Sequence, residues 1–570
     1  MKKHINNFLL LILTLSFSAC EEYLEPLPVN QQYDVEELLA NPSIAEGLLM
    51  TAYSDLPSNY TFETDIASDD AVTNVKGSPY TLMATGGWHS TFNPISKWND
   101  SYENIYYVNY FLENIESIPW ASDPTLSDAD RKRKHDLHRK RAIGEAHGLR
   151  AWYQFQLLQN HSGFSNDGRL LGFVILKEPL ELTDDWNLPR NSFADCVDAI
   201  MEDLDIAIAN LPAVYEDSSY PIVHETSGSR YENRMNGNAA KALKSRVALL
   251  AASPAYSSAN VISWEQAANI AGDLLSELGP LYVDGVEFYK EVRNNEIIWN
   301  LAQEQIRSWE LNNFPPSLLG MGNTNPSQNL VDAFPMKNGY PISNQSSGFD
   351  TDEPYTNRDP RLSKYIIYNG AELKNQPINT FVGAELDGIN VLETSTRTGY
   401  YLKKFMNEGV NLETGSESDA THTYTLLRVT EVLLNFAEAA NEAWGPDGDL
   451  KGYGFTARSK IEELRNRAGI DQPDEYLASL DRDGLRELIR NERRIELCFE
   501  EFRFWDLRRW EESEAINDPV KGVFIDLEVN VDTAYNYTSI EERKYTPDKI
   551  YGPIPYEETR KYNIEQNKGW

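Results

Sequence analysis

Apolar residues recur at steps of three and four along most of this chain, and that period commits it to packed helices. Trp98, Tyr102, Ile105, Asn109, Leu112 and Ile115 fall on one helical face, and Pro119 closes the pattern. Ile143 to Asn160 is apolar on more than one side, as suits a helix buried between neighbours. Ala239, Leu243, Val247 and Leu250 form a further stripe, with Asn238 placed to cap it and Pro254 to stop it. The same reading gives helices over Phe193–Asn210, Trp264–Leu275, Tyr424–Ala443, Ala457–Ala468 and Asp483–Glu511. From about Gly279 to 423 the texture changes to Gly, Pro, Asn and Ser broken by short apolar bursts, Ile297-Ile298-Trp299 and Tyr400-Tyr401-Leu402. That is loop and strand territory. No fixed-period repeat and no low-complexity tract interrupts the pattern. With 41% hydrophobic residues in 570, the chain has the composition of a core-forming protein, which rules out disorder. The predicted architecture is mainly α: two blocks of helix pairs, about 30–278 and 424–511, flank a loop-rich, partly β region, and 512–570 reads as irregular.

Residues 1–19 stand apart as an address. Lys2 and Lys3 precede an apolar run from Phe8 to Leu15, and Ser18-Ala19 supply small residues before a cleavage point. The run is about half of the roughly 18–20 residues that span a bilayer, and no second candidate follows, so the leader is a signal peptide. Cys20 directly after the small pair resembles the lipidation site of a bacterial lipoprotein, although Phe17 stands where that box usually has Leu. Glu21 and Glu22 resemble an acidic tag that directs lipoproteins to the outer face of the outer membrane. Several acyl chains, at about 0.8 kcal/mol per buried methylene, would make such an anchor stable.

Charge and composition exclude other classes. Lys and Arg number 52 against 88 Asp and Glu, a formal charge of −36 that repels nucleic-acid phosphates. Cys20, Cys196 and Cys498 are too few for a disulfide framework and lack zinc spacing, so no metal or cofactor is expected. The basic run Arg131–Arg141 reads as a solvated helix face, and His135 and His138 within it as surface histidines. Glu492, Glu496 and Glu500 share a helical face at the spacing of a glycosidase pair, but flanking arginines would hold all three ionised, which favours a structural ion-pair helix. Cys498 reads as an inert core thiol. There is no G-x-S-x-G, no Walker loop and no H-E-x-x-H. Asp481-Arg482-Asp483-Gly484 imitates part of a calcium loop, yet Ser479 and Arg490 occupy the positions of its first and last ligands; structural calcium therefore has no motif behind it, and the segment reads as a helix start.

Taken in order, a set of motifs resembles the SusD/RagB family of nutrient-binding outer-membrane lipoproteins over nearly the whole chain. They are Cys20-Glu21-Glu22-Tyr23-Leu24-Glu25-Pro26, Trp98-Asn99-Asp100-Ser101-Tyr102, Gly144-Glu145-Ala146 with Leu149-Arg150-Ala151-Trp152-Tyr153, and Ala240-Lys241-Ala242-Leu243. Arg358-Asp359-Pro360-Arg361, Asn435-Phe436-Ala437-Glu438-Ala439, Leu464-Arg465-Asn466-Arg467-Ala468-Gly469, the stretch Glu492 to Trp510, and Gln566-Asn567-Lys568-Gly569-Trp570 continue the series. His147 and Gly148 depart from the family pattern at packing positions. The resemblance implies one SusD-like domain over 20–570, with tetratricopeptide-type helix pairs and a loop-rich ligand region. It also implies a non-catalytic lipoprotein on the outer membrane, facing outward, that caps a SusC-like TonB-dependent transporter and delivers glycans to it.

A glycan site needs aromatic faces for the apolar side of a sugar ring and polar partners for its hydroxyls. Trp88, in the loop before the Trp98 helix, and Trp309 with Phe314, after the Trp299 burst, lie where family members place binding aromatics; Asp70 and Asn93 are candidate hydrogen-bonding partners. Burial as a loop anchor is the competing reading for each ring. Trp98, Trp152, Trp299, Trp505 and Trp510 are assigned to the core by their periodicity. A peptide ligand is the rival within the family, and a surface glycoside hydrolase the rival outside it.

Overall fold

The computed structural model describes residues 41–291, 293–512, 514–527 and 533–570; the leader and Cys20 lie outside the described residues. The helices that matter here are α1 (Pro42–Ser54), α2 (Trp98–Asn114), α3 (Asp128–His161), α4 (Phe193–Asn210), α5 (Gly237–Ala252) and α6 (Trp264–Leu278). They continue with α7 (Val429–Trp444), α8 (Ala457–Ala468), α9 (Arg482–Glu496), α10 (Arg503–Arg509) and the short α11 (Tyr556–Lys561). From α1 to α8 each helix packs on its successor, and α9 returns onto α7, so the protein is mainly α with helix pairs of tetratricopeptide type. Side-chain caps set the boundaries. Ser192 accepts from the Asp195 amide and Asn236, not Asn238, accepts from the Ala239 amide; Ser263 with Gln266 and Thr456 with Ser459 form reciprocal boxes. Asp481 likewise caps α9 through the Gly484 amide, so this segment is a helix start.

Helix α3 unites the basic run and the apolar stretch. Its first half pairs outward with acids: Lys132 with Asp136, Lys134 with Glu225, Arg139 with Glu116. The solvated-face reading fails at the end of the run, where Arg141 is buried on Glu145 and Glu46, 2.5 and 2.9 Å away. His138 is also not a surface residue: its ring lies over Trp120 at 6.4 Å, and burial with Arg141 nearby pushes its pKa down to about 4. His135 on the preceding turn is half-buried. In the second half Gly148 has no room for a side chain, since a Cβ there would stand 2.7 Å from Met235. The departure to glycine gives the Met235 side chain, in the loop ahead of α5, room against α3.

Two strand pairs tie the loop-rich part to distant segments, and a third is local to the C-terminal stretch. Strand β1 (Ala71–Thr73) pairs with β3 (Thr324–Pro326), β2 (Ile297–Asn300) with β4 (Thr425–Arg428), and β5 (Val520–Asp526) with β6 (Ala534–Glu541), all antiparallel. The C-terminal stretch expected to be irregular thus contains an ordered strand pair, and the start of the helix read from Tyr424 is strand. Phe62, Trp309, Phe314, Tyr365, Tyr400, Phe405 and Phe499 form a second hydrophobic core, separate from the helical one.

The sequence pattern from Asp483 to Glu511 predicts one helix, and the structure breaks it after Glu496. Phe499 and Glu501 take positive φ of 61° and 64°, a conformation costly for residues with side chains. The turn lets Phe499 enter the second core while α10 restarts in another direction. Glu500, beyond the helix, still reaches Lys404 and Arg428 at 2.7 and 2.8 Å. Burial would raise the carboxyl pKa values of Glu492, Glu496 and Glu500, but the surrounding Arg and Lys outweigh it and all three are lowered, Glu496 to about 2. Held ionised, none has a proton to donate as a general acid.

Candidate glycan-binding groove

Of the five residues expected at the ligand site, Trp88, Trp309, Phe314 and Asp70 are buried and Asn93 is half-buried. Trp88 is 4% exposed: its ring meets Trp570, Phe504 and Tyr545, Arg508 lies over it, and its indole N–H donates to Asn93 Oδ1 at 3.0 Å. Asn93 therefore serves Trp88. Trp309 packs between Tyr60 and His422 in the second core, and Phe314 is fully buried beside it. Asp70 is buried on Arg494 at 2.6 Å; its pKa is raised by burial, with Asp69 adding and Arg494 opposing. Trp88 and Trp309 stand in different cores, which corrects the expected platform. Trp98, Trp152, Trp299 and Trp510 are buried as expected. Trp505 is not: the break before α10 leaves it half-buried on a cleft of about 350 Å³ that Phe502, Gln156, Gln159 and Arg246 also line. In that cleft Arg246 and Glu501 are already engaged by protein groups. Arg246 is clamped by Glu431 at 2.6 Å through two nitrogens, and Glu501 accepts from Thr61 and the Glu63 amide.

Accessible aromatic rings gather instead in a groove of about 390 Å³, a normal size for a small-molecule site, between α2, the segment 174–188 and α11. The helical period of α2 that buries Trp98, Ile105 and Asn109 turns Asn99, Glu103 and Tyr106 outward, with Tyr102 and Tyr107 half-buried at the edges. The opposite wall is fastened to α2 by side chains. Tyr102 Oη accepts from the Val174 amide at 2.9 Å and donates to its carbonyl at 3.1 Å; Asn109 Nδ2 donates to the carbonyls of Leu176 and Glu178. Arg150, held by Asp203, donates to Asn109 Oδ1 at 2.8 Å from behind and fixes that amide's orientation. Burial raises the Tyr102 hydroxyl pKa far above neutrality, so it remains a donor.

At the mouth, Trp186 stacks on Tyr562, ring centroids 6.4 Å apart and planes within 20°. Its N–H is occupied by the Glu181 carbonyl, which leaves the ring itself as its contribution to the groove. Trp186 and Tyr106 remain 40% and 39% exposed. The third wall, Glu558, Tyr562 and Ile564, belongs to the C-terminal segment, which Arg190 stitches to the end of α3 by donating to Glu565 O, Asn567 Oδ1 and His161 O. Aromatic faces, an apolar floor and a few carboxylates at the rim suit a ligand with flat apolar faces and polar edges.

The periodicity of α2 carries Tyr106 to the outside, and this signal was available in the sequence. Trp186 lies in a segment with no such period, and nothing local links it to Tyr562.

Comparisons with known proteins place the whole framework. A model described as "SusD family" matches residues 295–570, and one described as "Starch-binding associating with outer membrane" matches 22–249. The chain is 23% identical to the SusD-like protein P38 of Formosa agariphila over 540 residues, covering 92% of this chain and 95% of that protein. A SusD-like protein of Bacteroides fragilis superposes with TM-score 0.75 at 25% identity, covering 94% of this chain and 98% of that one. A second B. fragilis structure, described as a SusD-like carbohydrate-binding protein, gives TM-score 0.69 at 21% identity, with 92% and 99% covered. The match runs through both the helix pairs and the loop-rich part, and with two models of one family accounting for both ends, the chain belongs to the SusD/RagB family.

Proposed function

We infer that the protein binds glycans in the groove between α2, segment 174–188 and α11, and does not act on them chemically. One observation carries this reading: Trp186 and Tyr106 keep exposed rings at the mouth of a cavity whose floor is Trp98 and Tyr102 and whose rim bears hydroxyl-binding carboxylates. The family supports it, since a structural neighbour is described as carbohydrate-binding and a matching family model as starch-binding. Attachment through lipid on Cys20 to the outer face of the outer membrane, and delivery to a SusC-like TonB-dependent transporter, complete the proposal; the family model's association with the outer membrane supports the location. Among the described residues no helix is long and apolar enough to cross a membrane.

The test is titration of purified protein with a panel of oligosaccharides, followed by Trp186→Ala and Tyr106→Ala. Each substitution removes a stacking contact of about 1–1.5 kcal/mol, so affinity should fall roughly tenfold. Thermal stability should barely move, because exposed positions typically shift it by within about 0.5 kcal/mol. Full affinity in both variants would overturn the site.

A further inference from the structure

The groove's charge is one-sided. Glu103, Glu178 and Glu558 line it, and neither Lys nor Arg does. Glu103 and Glu178 are exposed and form no ion pair among the described residues; Glu103 accepts only a 3.3 Å hydrogen bond from Tyr107. Glu558 is paired with Lys561, whose side chain is 56% exposed and outside the lining. Donors are scarce. The Asn109 amide is spent on the Leu176 and Glu178 carbonyls and the Trp186 N–H on Glu181, so Asn99 supplies the amide left facing the groove. The unpaired carboxylates favour a ligand that brings donors and positive charge: ammonium groups offer three N–H bonds to carboxylates and are attracted to aromatic faces. Uronate or sulfate groups would meet acceptors and like charge.

We propose that the groove selects amino sugars with free ammonium groups over N-acetylated and acidic sugars. The proposal rests on the glycan-binding reading above and specifies its ligand class. Free-amine and N-acetylated glucosamine disaccharides share one backbone, so comparing them isolates the charge. Calorimetry on the full chain at mildly acidic pH, where the sugar amine is protonated, should show the free amine binding at least tenfold more tightly, and a galacturonate disaccharide not binding. Glu103→Gln with Glu178→Gln should bring the ratio toward one.

Because the whole protein is acidic, diffuse attraction needs its own control. Trp186→Ala leaves every charge in place and should still weaken the free amine about tenfold; amine binding unchanged in that variant marks diffuse attraction and overturns the proposal. Equal or tighter binding of the acetylated or acidic sugar overturns the selectivity while the glycan-binding reading stands. Absence of binding by every sugar, neutral ones included, removes both.

Discussion

Truncating Trp88 and truncating Trp186 should damage different things. Trp88 fills space among Trp570, Tyr545 and Phe504 and carries the hydrogen bond that satisfies Asn93 Oδ1. Trp88→Ala should therefore cost about 3–5 kcal/mol of stability, as large-to-small changes of buried aromatics do, while affinity in the folded fraction stays unchanged. Thermal melts and titrations on that one variant check this; lost affinity at normal stability would return Trp88 to the binding site. Sequence could not separate the two tryptophans, because both sit in loops without a period. What distinguishes them lies far along the chain: Trp88 meets Tyr545 and Trp570, and Asp70 meets Arg494, across more than 400 positions. Such contacts depend on topology, which local pattern does not encode. Where the period was strong, the reading held down to single residues, as with the burial of Trp98, Trp152 and Trp299.

At the scale of the element, α9 shows how a sound local pattern can still miss geometry. The interleaved charges from Glu492 to Arg509 announce an ion-paired helical stretch, and the pairing is present: Glu496 binds Arg467 at 2.7 Å, Arg361 at 3.1 Å and Arg428 at 3.4 Å. The break after Glu496 was illegible because its left-handed residues are Phe499 and Glu501, where a reader looks for glycine or asparagine. The gain from placing Phe499 in the second core and Glu500 on Lys404 offsets that backbone cost. Glu496→Gln leaves three guanidinium groups short of a buried partner and should destabilise by about 3–5 kcal/mol. It should also flatten the acid limb of stability. With its folded pKa lowered to about 2, Glu496 contributes fully above the usual glutamate range, and the contribution is lost as pH falls toward 2. Urea denaturation of both proteins across that window measures both effects, and a variant as stable as the parent would show the network to be dispensable.

For the whole molecule, the junction of helical core, groove and C-terminus runs through one imidazole. His161, at the end of α3, donates from Nδ1 to Pro553 O at 2.6 Å and accepts the Lys97 amide on Nε2 at 3.3 Å, just ahead of α2, whose first residue Trp98 stands edge-on to the ring. Its own carbonyl takes Arg190 and Asn567, which hold the C-terminal segment and with it the third wall of the groove. Both ring nitrogens are thus committed in the neutral form, and protonating Nε2 would set a donor against the Lys97 amide. Burial, reinforced by Arg190 and opposed by the bond to Pro553, pushes the pKa from 6.5 down to about 4. Between these values the unfolded chain binds a proton that the folded chain refuses, so stability falls as pH drops from 6.5 to about 4 and then levels off. At about 1.4 kcal/mol per pKa unit, the loss from this group is of order 3 kcal/mol. His161→Asn keeps a donor for Pro553 and cannot titrate. It should therefore lose less stability over that pH window than the parent, and His138, whose pKa is likewise down to about 4, contributes to the slope that remains. Because His161 anchors the groove wall, the parent's affinity for a neutral sugar should decline only as pH reaches about 4 and below, where the folded protein itself takes up the proton, and the variant's should not. Identical pH slopes in the two proteins, measured by urea denaturation, would place the acid sensitivity elsewhere.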